Sequence, residues 1–422
     1  MIQNIKNHIP GDFIKNIFTL LSGATIAQVI ALISIPVLTR MYTPEDFGYI
    51  AIYLSITNII ASVSTGRYEL AIMLPKKKSD SLAIFKGTLS IVALASISAL
   101  LLIILFKNFN NPLSNFIKPG YFYLLPASIF LVALSNMFLQ WFTRVKKFQL
   151  QAKTKIIKSS SNSGINIAMG YFFNLKSWGL FLGHIGGQLS QFIFFSGRFI
   201  KTELNEFKKI EIQQIKQQLQ ENRNFPYFSA PMAFLNSVSV DILIYVFNIF
   251  YSTTLVGLYS NANKVINYPL NLISQSFTSV FYQKIAETDK KLKLYTVSYF
   301  INLLLASLAM TPIVLWGEEI FAFVLGDEWE TAGSIAKYLA PLTITSFAMR
   351  SVSNIFSLTR KHQILLIWQS IYLLVILITI FVSKNEKFEI MLVSISFIGA
   401  FLYIALAIIG FRIMKLNYEE PV

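Results

Sequence analysis

The chain has 422 residues and a formal net charge of +15; 54% of its residues are hydrophobic, only 14% are charged, and the mean hydropathy is +0.57. Soluble domains carry about 25% charged residues, so this composition excludes a water-soluble enzyme and predicts a multi-pass membrane protein. Cysteine is absent and three histidines are scattered along the chain, which excludes disulfides, thiol catalysis and cysteine-bound metals and argues against a histidine metal cluster. No cofactor is expected.

The predicted elements begin after a polar segment, 1–14, that lacks the small-residue cleavage site of a signal peptide. A membrane span needs about 20 mostly apolar residues. The chain contains twelve such stretches, at 16–38, 48–66, 82–105, 121–142, 154–173, 178–198, 226–250, 257–282, 294–315, 331–357, 362–382 and 389–411. The eighth is the weakest on hydropathy. The sequence therefore predicts an all-α membrane protein with twelve transmembrane helices.

The distribution of basic residues predicts the orientation of these spans. An even number of spans places both termini on one side of the membrane. If that side is cytoplasmic, 26 of the 36 lysines and arginines fall in or beside cytoplasmic segments, six fall on the opposite side and four lie within spans. Basic residues collect on cytoplasmic loops, so cytoplasmic N- and C-termini are predicted. The net charge therefore does not indicate a nucleic-acid partner, and Lys76, Lys77 and Lys78 are interpreted as a cytoplasmic anchor that contacts membrane lipids.

The twelve spans fall into two halves. A polar stretch at 199–225, with Lys, Glu and Gln at helical spacing, separates them and predicts a cytoplasmic linker helix. The predicted organisation is an N-terminal six-helix lobe (1–198), this linker, and a C-terminal six-helix lobe (226–422), related by a pseudo-two-fold axis along the membrane normal. A weak internal similarity supports two repeats. The stretches YTPEDFGYIA (42–51) and YSTTLVGLYS (251–260) lie at equivalent positions of the two halves, and Tyr and Gly have the same separation in both.

The outer loops are too short to hold an enzyme site. The largest, 316–330, reads WGEEIFAFVLGDEWE and contains five acidic residues and no basic one. Paired carboxylates could serve glycoside chemistry, but so short a loop cannot enclose a sugar, and we interpret it as an acidic, aromatic cap. The phosphate-binding pattern GxxxxGK[ST] is absent, which excludes ATP hydrolysis of that kind. A secondary transporter is expected rather than an enzyme.

Several stretches resemble one known family. They are SGATIAQVIALISIPVLTRMYTPEDFGYIAIYLS, GRYELAIMLPKKKSD, GLYSNANKVINYPLNLISQSFTSVFYQKIAE and VLGDEWETAGSIAKYLAPL. These stretches resemble the Wzx-type polysaccharide repeat-unit (O-antigen) flippases of the multidrug/oligosaccharidyl-lipid/polysaccharide exporter superfamily. The likeness covers nearly the whole chain. Its motifs are hydrophobic and do not specify a particular glycan.

The resemblance implies a V-shaped bundle of twelve helices with a central cavity, located in the bacterial cytoplasmic (inner) membrane. It implies a protein that moves undecaprenyl-pyrophosphate-linked oligosaccharide from the cytoplasmic to the outer leaflet for the synthesis of surface polysaccharide or lipopolysaccharide. Alternating access, with coupling to an ion gradient, is the implied mechanism. A polysaccharide polymerase and a chain-length regulator are the implied protein partners.

Basic residues within spans are candidate ligands for the pyrophosphate of such a substrate, because a charge at mid-bilayer costs about 3 kcal/mol and needs a reason to be there. Lys264, in NANKVIN, has polar neighbours on one helical face, and Arg350 lies deep in the tenth span. Their alternatives are snorkelling to the interface and bonding to backbone carbonyls, respectively. Lys337 is a weaker cavity candidate; it and Lys86 lie near span ends, where snorkelling is the favoured reading.

Other charged residues mark the ends of the predicted cavity. Arg67, at the cytoplasmic end of the second span, is expected to receive the headgroup, with a plain interfacial anchor as the alternative. Glu69 follows two residues later and is expected to point away from Arg67 on a helix. Arg40 is a candidate at the outer mouth. Asp241, the clearest acid inside a span, is a candidate for ion coupling or for a structural ion pair with one of the deep cations.

Uncharged polar residues within spans are candidates for contacts to sugar hydroxyls. They are Gln28 on the first span and Gln188 with Gln191 on the sixth; hydrogen bonding between helices, worth about 0.6 kcal/mol each, is the favoured alternative. His184 lies among the three glycines of 183–187, which predict close helix packing. A packed histidine is therefore favoured over a proton relay.

Four function classes compete at this point. A flippase for a lipid-linked oligosaccharide fits the excess of bases over acids within spans. A multidrug or cation exporter of the same superfamily should instead favour acidic and aromatic residues in its cavity. A membrane glycan polymerase or ligase would need a large outer loop with catalytic residues. A pure scaffold leaves the four basic residues within spans unexplained.

Overall fold

The computed structural model describes residues 11–106, 119–288, 290–359 and 361–418. Throughout these residues the regular structure is helical, and no strand occurs in them. The helices are α1 (Gly11–Thr39), α2 (Pro44–Ser64), α3 (Tyr68–Ala71), α4 (Lys78–Phe106), α5 (Pro119–Phe122), α6 (Leu125–Arg144), α7 (Phe148–Phe173), α8 (Ser177–Lys208), α9 (Ile212–Glu221), α10 (Ala230–Phe250), α11 (Thr253–Glu287), α12 (Lys291–Leu325), α13 (Glu330–Tyr338), α14 (Ala340–Val352), α15 (Ile355–Leu358), α16 (His362–Ser383) and α17 (Phe388–Tyr418).

Within the described residues, 8 helical segments are long and apolar enough to cross a membrane. They are Thr19–Thr39, Pro44–Ser64, Lys78–Leu105, Gly120–Arg144, Phe225–Phe250, Lys291–Leu325, Gln363–Ser383 and Phe388–Leu416. The predicted fifth, sixth, eighth and tenth spans coincide with α7, α8, α11 and the pair α13–α14, which are helical but more polar. The all-helical, multi-pass prediction is confirmed, whereas the count of twelve depends on these four and stays a prediction.

The chain divides into two compact units, Met1–Gly257 and Leu258–Val422. Helix α10 belongs to the first unit because it packs along α2, where Ser55 Oγ donates a hydrogen bond of 2.7 Å to the Tyr245 hydroxyl. This boundary lies one helix beyond the start of the predicted second lobe. The predicted division at 1–198, 199–225 and 226–422 is one of sequence repeats, and it stays a prediction.

The predicted linker contains a short helix that packs on the first unit. Helix α9, at the centre of that polar stretch, lies against α4, where a Cβ on Gly87 would come 2.9 Å from both Ile215 and Leu219. Gln214 donates a 2.9 Å hydrogen bond to Asp80. Because Ile215 and Leu219 face α4, the linker helix is held against the bundle rather than free in solvent.

Helices α7 and α8 approach each other as closely as the glycines predict. A Cβ on Gly183 would lie 1.7 Å from Asn166 Oδ1, and one on Gly187 would lie 2.9 Å from the carbonyl oxygen of Lys158. A larger residue at these positions would separate the helices, since packed interiors leave no free space for it. The prediction of close packing around His184 is confirmed.

Candidate functional site

The second unit places the two deepest predicted cations along one helical face. Lys264 and Asn271 both lie on α11 and are two helical turns, about 10 Å, apart. Arg350, which is exposed on α14, donates a hydrogen bond from Nη1 to Asn271 Oδ1. Since residues seven apart share a face of a helix, Lys264 and the guanidinium of Arg350 lie on the same side of α11. The structure therefore places the two leading candidates on one side of α11, about two helical turns apart.

A proline and several asparagines make α11 polar and shape this face of the helix. Pro269 lies inside the helix and has no backbone N–H, so the helix loses one internal hydrogen bond there. Asn267 donates to the side chain of Asn263 at 2.6 Å, and both polar side-chain atoms of the buried Asn261 lack a hydrogen-bond partner among the described residues. These amides explain the low hydropathy of the eighth span. They also leave polar groups available inside it.

An aromatic cluster that the sequence reasoning missed reaches Arg350 through one of its rings. The Tyr403 hydroxyl lies within electrostatic range of Arg350. The Tyr403 ring packs against Trp368 with centroids 4.9 Å apart and against Tyr372 at 5.8 Å. The spacing of Trp368 and Tyr372 by four residues on α16 was the available signal, because such residues share a helical face.

In the first unit, Asp241 lies among hydroxyl groups. The half-buried Asp241 carboxyl lies close to the Ser55 hydroxyl of α2, and Ser55 donates its hydrogen bond to Tyr245, one turn beyond Asp241 on α10. Two neutral hydroxyls therefore surround this acid. The ion-coupling role of Asp241 stays a prediction.

The expected separation of Arg67 and Glu69 is wrong. Arg67 Nη1 and Glu69 Oε1 lie 3.2 Å apart and form an ion pair. The reason is that Gly66 and Arg67 adopt positive φ angles of 58° and 60°, so the chain turns here instead of continuing α2. Residues two apart point away from each other only on a regular helix. Thr65 Oγ1 donates a second hydrogen bond, of 2.5 Å, to Glu69.

The turn that contains Arg67 is tied to the linker helix. The Tyr68 hydroxyl donates to the carbonyl oxygen of Leu219 on α9 at 3.0 Å, and burial raises the pKa of Tyr68. Further along, Arg144 Nη2 donates to the carbonyl oxygen of Pro75 at 2.6 Å. The segment 68–75, which precedes the three lysines, is therefore held at both ends. The role of Arg67 in receiving a headgroup stays a prediction.

A pair of lysines on α7 was missed at the sequence level because it was counted with the cytoplasmic anchors. Lys155 and Lys158 are half-buried, lie one turn apart and interact with each other electrostatically. His184 on α8 is close enough to Lys158 for the same kind of interaction. No ion pair to either lysine occurs in the described part of the chain. Two like charges without an acid make this a second candidate for anion binding.

The remaining charged candidates lie neither on the α11 face that carries Lys264 nor beside the lysine pair of α7. Arg40 is exposed just beyond the end of α1, and Lys337 is exposed on α13. Lys86 donates to the carbonyl oxygen of Ile210 at 2.9 Å and lies over the Phe207 ring. Lys86 therefore caps the connection between α8 and α9, which is a structural role.

The glutamines and the histidine are mostly enclosed by the first unit. Gln188 and Gln191 are buried, and Gln188 accepts a long 3.5 Å hydrogen bond from Ser135 on α6, which is the interhelical alternative. His184 packs at a right angle to the Tyr53 ring. Gln28 differs, because its Oε1 is buried and has no hydrogen-bond partner among the described residues.

Comparisons with known proteins show a family match and similar folds. A family model described as "Polysaccharide biosynthesis protein" matches residues 37–334. An inward-facing multidrug resistance MATE family transporter of the MOP superfamily aligns with a TM-score of 0.60 and 13% identity over 95% of this chain and 94% of that chain. An outward-facing transporter of the same description aligns with a TM-score of 0.54 and 12% identity over 96% and 97%.

A third solved structure is a MOP superfamily transporter from Pyrococcus furiosus, which aligns with a TM-score of 0.53 and 13% identity over 96% of this chain and 95% of that chain. The search of curated proteins gives no match. At these identities the structural likeness defines the fold alone.

Composition and helices define a multi-pass membrane protein, and its fold is similar to that of MOP superfamily transporters. Within that class, the chain belongs to the polysaccharide biosynthesis protein family, since the family model spans more than half of its length. The resemblance found in the sequence is confirmed at this level.

Proposed function

We propose that this protein is a flippase that moves undecaprenyl-pyrophosphate-linked oligosaccharide from the cytoplasmic to the outer leaflet of a bacterial cytoplasmic membrane. The observation that carries the proposal is the setting of Arg350. Its partners among the described residues, the Asn271 amide and the Tyr403 hydroxyl, are both neutral. A guanidinium in a span without a carboxylate partner is unfavourable unless an anion joins it, and its planar fork binds phosphate oxygens at two points.

The neighbouring rings suit the sugar part of the substrate. Trp368, Tyr372 and Tyr403 each combine an apolar face with a polar group, which is the combination that a sugar presents in return. Trp368 Nε1 donates to the carbonyl oxygen of Leu402 at 3.0 Å, which fixes its ring. A cation beside fixed aromatic rings favours a ligand with an anionic group next to a sugar.

The charge pattern also favours this substrate over a cationic drug. Lys155 and Lys158 add two cations without an acidic partner, whereas Asp241 is surrounded by hydroxyls. A drug exporter for cations would need exposed carboxylates at these positions. A precedent is the MOP superfamily transporter from Pyrococcus furiosus, for which the reverse polarity of the binding pocket suggests a different function.

In the proposed mechanism the protein works by alternating access, with twelve spans, both termini in the cytoplasm and an ion gradient as the driving force. The excess of basic residues on predicted cytoplasmic segments supports this orientation. Topology reporters fused after Lys209 and after Asp327 test it: the first should report the cytoplasm and the second the outer side. The opposite result at either position would overturn the orientation.

The experiment that tests the function is depletion of the protein in its host, followed by quantification of lipid-linked oligosaccharide and of surface polysaccharide. Accumulation of single undecaprenyl-pyrophosphate-linked repeats, with loss of surface polysaccharide, is expected. Restoration by the wild-type gene is the control. If neither pool changes in a host without a second flippase, while susceptibility to cationic drugs rises, the exporter alternative replaces the proposal.

A further inference from the structure

The contact between α2 and α10 contains an acid inside a predicted span and no basic residue. Helix α10 carries Asp241 as its one charged residue, and α2 is charged only in its first turn, at Glu45 and Asp46. Ser55, the α2 residue beside Asp241, follows that turn by about 14 Å along the helix. No ion pair to Asp241 occurs in the described part of the chain. An ionised carboxylate here has no counter-charge, which is unfavourable within a membrane.

One hydroxyl proton serves two acceptors at this contact. Ser55 is buried and donates a 2.7 Å hydrogen bond to the Tyr245 hydroxyl, while the Asp241 carboxyl lies close to the same serine oxygen. A serine hydroxyl has a single proton. Because that proton points to Tyr245, the carboxyl faces the lone pairs of the Ser55 oxygen. A protonated carboxyl can donate to those lone pairs and an ionised one cannot, so the observed arrangement is that of the neutral acid.

The other titratable groups near this contact are tyrosines with roles of their own. On α2, Tyr53 bonds to a serine of α6 and Tyr49 donates to a glutamate one turn earlier. Tyr227, in the segment that leads into α10, is exposed. On α10 itself the one such neighbour is Tyr245. A tyrosine, with an ordinary pKa of about 10, keeps its proton at neutral pH, so Asp241 is the group here that can exchange one.

The oxygen atoms around Asp241 suit a proton better than a metal cation. Transporters coordinate coupling sodium ions with backbone carbonyls of unwound helices. Helix α10 is continuous from Ala230 to Phe250, so the carbonyl oxygens around Asp241 are used by the helix itself. The described side chains offer one carboxyl and two hydroxyls, fewer oxygens than the roughly six that hard cations take. A proton needs one acceptor.

We propose that Asp241 binds the coupling proton of the flippase and that Ser55 transmits its state from α10 to α2. The inference rests on the proposed function and names the ion that drives it. When the carboxyl loses its proton to water, the carboxylate accepts the Ser55 hydroxyl, which then no longer donates to Tyr245. The bond from Ser237 to Ser62, at 3.4 Å, holds the contact elsewhere, independently of the acid. The proton thereby selects between two arrangements of the α2–α10 contact.

An infrared titration of the full-length protein in nanodiscs tests the proton site directly. Difference spectra recorded over a range of pH should contain the band of a protonated carboxyl, and Asp241→Asn should remove that band. Ser55→Ala removes the donor to the ionised form and should move the midpoint of the titration to higher pH by about one to two units, the equivalent of one hydrogen bond to a charged group. Ser62→Ala is the matched control on the same helix and should leave the midpoint unchanged, because Ser62 bonds to Ser237.

Transport in proteoliposomes connects the site to the proposed function. An imposed proton gradient should accelerate transfer of fluorescent undecaprenyl-pyrophosphate-linked oligosaccharide between leaflets by the wild type and by Ser62→Ala. Asp241→Asn should lose this acceleration.

The outcomes separate this inference from the proposed function. An unchanged carboxyl band in Asp241→Asn, or an unchanged midpoint in Ser55→Ala with wild-type thermal unfolding, would overturn the inference. A sodium gradient that drives the wild type and not Asp241→Asn would overturn it as well, by assigning the site to sodium. Absence of wild-type transfer under every gradient would count against the proposed function, while the infrared titration would still decide whether Asp241 binds a proton.

Discussion

Gly48 and Gly257 occupy reciprocal positions at a contact inside the first unit. A Cβ on Gly48 would lie 1.9 Å from the carbonyl oxygen of Thr253, and a Cβ on Gly257 would lie 1.8 Å from the carbonyl oxygen of Pro44. Thr253 and Pro44 stand at the same position of the two echoing motifs, two residues after the tyrosine. Each glycine therefore approaches the residue that holds the matching position in the other motif, so the contact between α2 and the start of α11 is reciprocal.

Substituting either glycine should strongly impair transport. Gly48→Leu or Gly257→Leu places atoms where a backbone oxygen lies, and backbone cannot move aside as a flexible side chain can. We expect export of surface polysaccharide to fall at least about tenfold, and the double variant to be no worse than either single one because both remove the same contact. Complementation of a depleted host, at matched protein levels, measures this.

The control for this prediction is Gly197→Leu, because a Cβ on Gly197 would meet no atom within 4 Å. This variant should export at the wild-type level. Full export by Gly48→Leu and Gly257→Leu would show that the contact is not required for turnover.

Arg350 should be the most sensitive of the predicted cations. A hydrogen bond to a charged group contributes about 1.5–3 kcal/mol, so Arg350→Ala should weaken binding of undecaprenyl pyrophosphate by roughly 10- to 150-fold. Arg350→Lys keeps the charge but loses the two-point geometry, and should lie between Ala and wild type. Lys264→Ala should also impair binding, whereas Lys337→Ala, at an exposed residue of α13, should not. Equal binding by all these variants would remove the cationic site.

Lys158 should contribute to substrate binding from the first unit. Lys158→Gln preserves most of the side-chain volume and removes a half-buried charge that has no acidic partner in the described residues. We expect lower affinity for the pyrophosphate lipid together with a higher unfolding temperature, because repulsion from Lys155 disappears. Lys153→Gln, at an exposed residue of the same helix, should change neither quantity. Lower affinity with reduced stability would instead indicate a structural role.

The sequence was sufficient for the helices and insufficient for the side-chain arrangement. Apolar stretches and basic residues follow local rules, so the helices at 16–38 and 389–411 could be predicted, although α1 begins five residues earlier and α17 ends seven residues later. The glycines near His184 signalled close packing because the reason is steric and local. In contrast, the approach of Arg350 to Asn271 and Tyr403 joins three helices that are distant in the sequence.

The failures have physical causes of the same kind. Lys158 was assigned to a cytoplasmic segment, since composition alone does not show which way a helical face points. Arg67 and Glu69 were placed on a continuing helix because nothing in hydropathy signals a left-handed residue. Gly66 was the available warning, since glycine before a charged pair often marks a turn.

The Arg67 turn permits a prediction that separates ion pairing from backbone strain. Arg67→Ala removes the ion pair with Glu69, whose side chain is only 5% exposed, and should lower the free energy of unfolding by about 1–3 kcal/mol. Arg67→Gly removes the same pair but adopts a φ of 60° without the roughly 1 kcal/mol that other residues lose in the left-handed region. The glycine variant should therefore be the more stable of the two.

Thermal unfolding of the purified protein in detergent measures the difference. The order expected for Tm is wild type, then Arg67→Gly, then Arg67→Ala, and the two variants should bind substrate equally if Arg67 acts only through the turn. Glu69→Gln keeps an acceptor for Thr65 and should resemble the glycine variant. At equal Tm, tenfold weaker binding of the pyrophosphate lipid by Arg67→Gly than by Glu69→Gln would show that Arg67 contacts the headgroup directly. The reason is that both variants lack the ion pair, but only Arg67→Gly has lost the cation at the end of α2.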